Sequence, residues 1–227
     1  MVGCRTSKLK RMVRFKILCV LGTAAAAMAQ SPPSEPPKYP PGLYAIINTS
    51  SGDITAQLFE KETPVTVRVF MGLARGTQPW LDPKTRKPVN RPLYENLIFH
   101  RVIPDFMIQT GDPTETGAHE CGFKLPDEFV STLKFDRPGR LAMANAGPGT
   151  AACQFFITED KYPDGNGHYA IFGQVVDGQR VVTKISHVIR DKKDRPIVPT
   201  KLIKITFMRI VPQAAPPPAP SPAPSPQ

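Results

Sequence analysis

With 227 residues, 41% of them hydrophobic and 21% charged, the chain is long enough for one substantial core or two small ones, and its composition excludes a fibrous or wholly disordered protein. The formal net charge of +10 suggests a nucleic-acid partner, but six of the 29 Lys and Arg lie between Arg5 and Lys16, with no acid in the first 29 residues. The remainder carries only +4, too little for the electrostatic footprint of a nucleic-acid binder.

The basic stretch is followed by an apolar run from Ile17 to Ala27 and a small-x-small site at Ala27, Met28 and Ala29. Residues 1–29 are therefore predicted to be an export signal, with cleavage before Gln30 and Met12 as an alternative start. The apolar run is short of the ~20 residues that span a bilayer, so no stable membrane insertion is expected after cleavage. Proline marks the next boundaries. Of 27 prolines, six lie between Pro32 and Pro41 and eight between Pro212 and Pro226, stretches that cannot form regular structure. Residues 30–43 read as a linker, 44–211 as one folded domain and 212–227 as a disordered tail of spacer type.

Within the domain, Tyr44 to Asn48 and Ile54 to Phe59 flank Ser50-Ser51-Gly52-Asp53, a hairpin signal. Thr63 and Pro64 supply an N-cap and a first-turn proline, and Val65, Val69, Phe70 and Leu73 keep helical spacing, so a helix is predicted over 64–75, ending at Gly76. Residues 77–93, with Pro79, Pro83, Pro88 and Pro92, read as a surface loop. Short strands are predicted over 97–103, 106–110, 140–144, 154–158 and 170–176. A second helix follows Asp177-Gly178 with Val181, Val182, Ile185 and Val188 on its apolar face, and alternation from Lys201 to Ile210 predicts a last strand with one apolar side. Many short strands, two helices and no βαβ alternation argue for a mainly β fold, a closed or nearly closed antiparallel barrel capped by helices.

Three blocks narrow the reading: FHRVIPDFMIQTGD from Phe99, LAMANAGPGTAACQFFIT from Leu141 and YAIFGQVVDG from Tyr169. In order and spacing they resemble the cyclophilins, the peptidyl-prolyl cis-trans isomerases, with weaker likeness from about Tyr44 to Val211. The resemblance implies a closed, eight-stranded antiparallel β-barrel capped by two α-helices. It implies rotation of X-Pro bonds in exported proteins, with no cofactor. The partners it implies are proline-containing polypeptides, and a monomer in the periplasm or the medium is expected. A non-catalytic holder of proline-containing segments is the rival reading.

Rotation about an X-Pro bond crosses a barrier of about 18–20 kcal/mol that comes from amide resonance. No covalent bond breaks, so the chemistry requires a fixed donor for the proline nitrogen, an apolar slot for its ring and anchors for the peptide backbone. By the resemblance Arg101 is the donor, Phe106, Met107 and Phe156 form the slot, and Gln109 and Asn145 hold the substrate backbone. Ala144 and Gln154 line the same groove. Tyr162-Pro163 stands where cyclosporin-sensitive members carry Trp-Leu, and Tyr169 where they carry His, so intact turnover with weak cyclosporin binding is expected. His100 reads as a structural, hydrogen-bonded residue. The four His (100, 119, 168 and 187) show no metal-ligand spacing, and no metal site is expected. The loop Thr116 to Gly122 is bulkier than the family's Gly-rich version and is expected to narrow a secondary pocket. In the family that pocket is flanked by the segments that hold Cys121 and Cys153. A disulfide between them and two unpaired thiols both remain open at this point.

Overall fold

The computed structural model describes residues 38–212. The predicted signal, most of the linker and nearly all of the Pro-rich tail lie outside the described residues. In chain order the elements are β1 (Gly42–Thr49), β2 (Gly52–Leu58), α1 (Pro64–Arg75), β3 (Trp80–Leu81), β4 (Pro88–Val89), β5 (Leu97–Ile98) and β6 (Arg101–Ile103). They continue with β7 (Met107–Thr110), β8 (Arg140–Met143), β9 (Phe155–Thr158), a 3₁₀ turn (Pro163–Gly165), β10 (Ile171–Asp177), α2 (Gln179–Ser186) and β11 (Lys201–Ile210). Among the described residues no helix is long and apolar enough to cross a membrane.

The main sheet has nine strands in the order β5-β11-β1-β2-β10-β8-β9-β7-β6, all pairs antiparallel. It is a curled sheet rather than the expected closed eight-stranded barrel. Its two edge strands, β5 and β6, do not pair; they follow each other in the chain through Phe99 and His100. The single strand predicted over 97–103 breaks there because its two halves serve opposite edges. Phe99 N–H donates to Thr200 O (3.1 Å) on the β11 side, whereas Ile98 O accepts from Thr110 Oγ1 (2.8 Å) on the β7 side.

Alternation along the central strands builds two apolar layers. Leu141, Phe155, Ile157, Ile108 and Phe172 enter the main core inside the curl, while Ala142, Phe156, Met107 and Ile171 join a smaller cluster on the outer face. Helix α1 closes the main core with Phe70, whose ring lies 4.9 to 5.4 Å from those of Phe172, Phe155 and Tyr94. Truncating such a side chain costs about 3–5 kcal/mol.

Several local readings need correction. Thr63 makes no side-chain cap to α1; its hydroxyl bonds Phe59 O, and the orphan N–H groups of Val65 and Thr66 are taken by the Glu128 carboxylate (3.1 and 2.7 Å). Gly76 does end the helix, in the left-handed region at φ 77°, where a Cβ would strike Arg91 and Pro92. The stretch 77–93 is not plain loop: β3 and β4 pair, and Trp80 is buried with its Nε1–H on Arg91 O. The alternation of β11 fails at a bulge opposite Asn48 and Thr49, so Leu202 and Ile205 are buried and Ile203 is exposed. The last residues read as linker are held to the domain, with Lys38 and Tyr39 both on Asp177 and Tyr39 stacked on Tyr44.

Candidate active site

Register sets the site. Across the outer face, Arg101 on β6 pairs with Gln109 on β7, Gln109 with Phe156 on β9, and Phe156 with Ala142 on β8. Because every second residue of a strand points to one face, this row places a guanidinium, an amide and an aromatic ring side by side. Met107 stands two residues from Gln109 on the same face and is 1% exposed.

A groove of about 370 Å³ opens over the row, lined among others by Arg101, Phe106, Met107, Gln109, Ala144, Asn145, Phe156 and Tyr169. Its apolar end is braced from behind: Phe106 packs on Tyr162 (4.6 Å between ring centroids), and Phe156 lies between Phe135 (5.9 Å) and Tyr169 (5.2 Å). Its polar end is fixed by an amide chain, with Gln109 Nε2 donating to Gln154 Oε1 (2.9 Å) and Gln154 Nε2 to Gly117 O (3.0 Å). Arg101 lines the groove, is about half exposed and makes a loose pair with Asp194 (Nε to Oδ2, 3.8 Å).

Eight of the residues singled out from sequence line this groove, and three do not. Gln154 supports Gln109 and lines a neighbouring cavity. Tyr162 stands behind Phe106, and Pro163 opens the 3₁₀ turn and lines neither cavity. The Asn145 side chain is spent within the protein, donating across to His168 O (2.7 Å) and accepting from Gly147 N–H (3.2 Å) in its own turn.

The second cavity, about 630 Å³, shares Gln109, Gly117, Ala144 and Asn145 with the first and is otherwise walled by residues 118–124, by Ala146 and Thr150 and by residues 152–154. Cys121 and Cys153 are joined by a disulfide in this wall, with Cα atoms 6.2 Å apart. The bulky loop does not close the cavity, because His119 is tied back to Leu81 O (2.8 Å) and Leu81 N–H to Cys121 O (2.9 Å). Asp112, fully buried, organises the loop between the two cavities. It accepts from Thr114 N–H and Oγ1–H (both 2.7 Å) and from Gly117 N–H (2.5 Å). Burial opposes its charge, yet these hydrogen bonds prevail and hold its carboxyl below the usual range. Gly111, at φ 97°, lets this segment pass against Cys153 O, where a Cβ would lie 2.5 Å away.

Sequence reasoning missed the far wall of the groove. Asp191, Lys193 and Arg195 line it from the turn between α2 and β11, and Glu115 meets Arg195 at 3.7 Å. Asp191 shapes that turn by accepting from Lys193 and Arg195 N–H (2.7 and 3.0 Å), bonds that lower its carboxyl pKa. His100 also lines the groove. It is 6% exposed, but among the described residues neither ring nitrogen has a hydrogen-bond partner, contrary to the expectation. Burial depresses the His100 pKa.

Residues 44–207 match the family model described as cyclophilin type peptidyl-prolyl cis-trans isomerase. A peptidyl-prolyl cis-trans isomerase A from Mycobacterium tuberculosis is 48% identical over 164 residues, covering 71% of this chain and 90% of the relative. Peptidyl-prolyl cis-trans isomerase B from Streptomyces anulatus is 43% identical over 158 residues, covering 68% and 90%. A crystal structure of a cyclophilin type peptidyl-prolyl cis-trans isomerase from Cryptosporidium parvum, in the presence of the dipeptide Ala-Pro, superposes with a TM-score of 0.63 at 33% identity, covering 74% of this chain and 99% of that one.

Proposed function

The chain belongs to the cyclophilin-type peptidyl-prolyl cis-trans isomerases, and on that premise we propose that Arg101 catalyses X-Pro rotation by donating to the proline nitrogen. In the twisted state the amide loses resonance and the nitrogen regains a lone pair. A guanidinium meets it with a permanent charge and a rigid fan of N–H groups. Phe106, Met107 and Phe156 receive the pyrrolidine ring, while Gln109, held by Gln154, and the main chain at Asn145 anchor the peptide. The observation that carries this reading is the register row, which sets the Arg101 donor beside Gln109 and Phe156 on one face of adjoining strands. No cofactor is needed, since no bond is made or broken. Tyr162 in place of an indole leaves turnover intact and weakens cyclosporin.

The substrates we propose are exposed X-Pro segments of exported proteins, met outside the cytoplasm by a monomer that does not insert stably in the membrane. The signal-like pattern of residues 1–29 supports this, as does the Cys121–Cys153 bridge, since disulfides persist in oxidising compartments. Cell fractionation with N-terminal sequencing is expected to find a product beginning at Gln30 outside the cytoplasm; an intact, cytoplasmic chain would refute export.

The catalytic proposal is tested with the full chain in a protease-coupled assay on an Ala-Pro peptide. Arg101→Ala, folded by circular dichroism, is expected to lose at least two decades of turnover, about 2.7 kcal/mol at 1.36 kcal/mol per decade. A folded Arg101→Ala with parental turnover overturns the donor assignment. A parent without catalysis points to the holder.

A further inference from the structure

Asp105, Glu159 and His187 meet at the foot of the turn that carries Phe106, and the isomerase reaction uses none of them. They come from three separate parts of the chain: the β6–β7 turn, the end of β9 and the end of α2. His187 Nε2 lies 3.0 Å from Glu159 Oε1 and 4.0 Å from Asp105 Oδ1, and one ligand atom from each residue falls within 4.8 Å of the others. We propose that these three side chains form a binding site for a divalent transition-metal ion, with Zn²⁺ as the probe.

Distances support it. Zinc binds His nitrogen and carboxylate oxygen tetrahedrally at about 2.0–2.2 Å, so two ligands on one ion stand roughly 3.3–3.6 Å apart. The His187–Glu159 separation of 3.0 Å is a few tenths of an ångström short of that, so the two side chains need to part only slightly to admit an ion. Asp105, whose side chain is 89% exposed, needs only to swing inward by a fraction of its own reach. Glu159 is oriented for the task, because its Oε2 accepts from Asp105 N–H (2.7 Å) and Ser186 Oγ–H (2.6 Å) while Oε1 faces His187. Such supporting donors are what fix a ligand carboxylate in place. The two carboxylates balance the ion's charge, the imidazole favours zinc-like ions over Mg²⁺ or Ca²⁺, and water completes the shell from the exposed side. An ion pair of His187 with both carboxylates is the competing explanation, and titration with zinc separates the two.

Calorimetric titration of the full chain with ZnCl₂ after chelator treatment is the test, with Asp105→Asn and His187→Ala beside it. Asn tolerates the positive φ of 62° at position 105, and the 187 side chain is half exposed, so both variants should fold, as circular dichroism would verify. The expected result is one saturable ion per chain, weakened at least about tenfold by either substitution, the lower end of what even an outer-shell partner costs. His168→Ala should bind like the parent. Saturating Zn²⁺ should raise the parent's Tm and leave that of His187→Ala unchanged. Absent saturable binding, zinc affinity unchanged by either substitution, or tighter binding of Ca²⁺ than of Zn²⁺ overturns the proposal.

Discussion

The two cavities share Gln109, Gly117, Ala144 and Asn145 yet are built from different material. The first is floored by strand residues whose positions follow from register, with a second apolar cluster beneath them. The second is walled by loop, and its shape depends on one disulfide, one buried carboxylate and one His tied to a backbone oxygen. Strand geometry is over-determined by its ladder, so it suits a reaction that needs a donor fixed within a fraction of an ångström. Loops tolerate exchange of side chains and suit the choice of substrate. Turnover should therefore depend on the sheet, and preference for the residue before proline on the loops.

The largest effect expected on the loop side comes from removing the disulfide. Cys121→Ser with Cys153→Ser opens a loop closed across a separation of 32 residues, worth about 3–4 kcal/mol by the loop-entropy relation. Denaturant unfolding should show that loss while turnover on an Ala-Pro peptide stays within a few-fold of the parent; a collapse of turnover in folded protein would break the division between the cavities. Asp112→Ala comes next. It removes the charged acceptor of the Thr114 and Gly117 N–H groups, hydrogen bonds worth about 1.5–3 kcal/mol each at most, and should lower the unfolding midpoint and alter preference more than turnover.

A smaller, pH-dependent effect follows from His100 and Asp112. Both have folded pKa values below their unfolded ones, 6.5 for the His and 3.8 for the Asp. Each contributes stability that is present above its unfolded value and lost as pH falls through its folded value. Tm should be level above about pH 6.5 and decline on acidification, and His100→Gln should remove the upper part of that decline. A Tm that rises on acidification from neutrality would contradict the burial argument.

The same division explains what was legible in the sequence. Arg101, Met107, Gln109 and Phe156 sit in contiguous strand blocks, where alternation fixes the face, Phe106 sits in the tight turn joining two of them, and all five appear together in the groove. The wall formed by Asp191, Lys193 and Arg195 was not legible, since a charged run reads as solvated surface and its return to the groove depends on how β11 is reached. Non-local partners hid the rest. Glu128 caps α1 from a distant loop, the bulge in β11 depends on β1, and the break at Phe99 and His100 exists only because the chain changes sheet edges there.

The most direct measurement compares kcat/KM across a panel of Xaa-Pro peptides for the parent, Phe106→Ala and His119→Ala. The account predicts that Phe106→Ala lowers every peptide by a similar factor, whereas His119→Ala changes the ratios among peptides and leaves the best one near the parental rate. A uniform loss in His119→Ala together with reordered preferences in Phe106→Ala would contradict it.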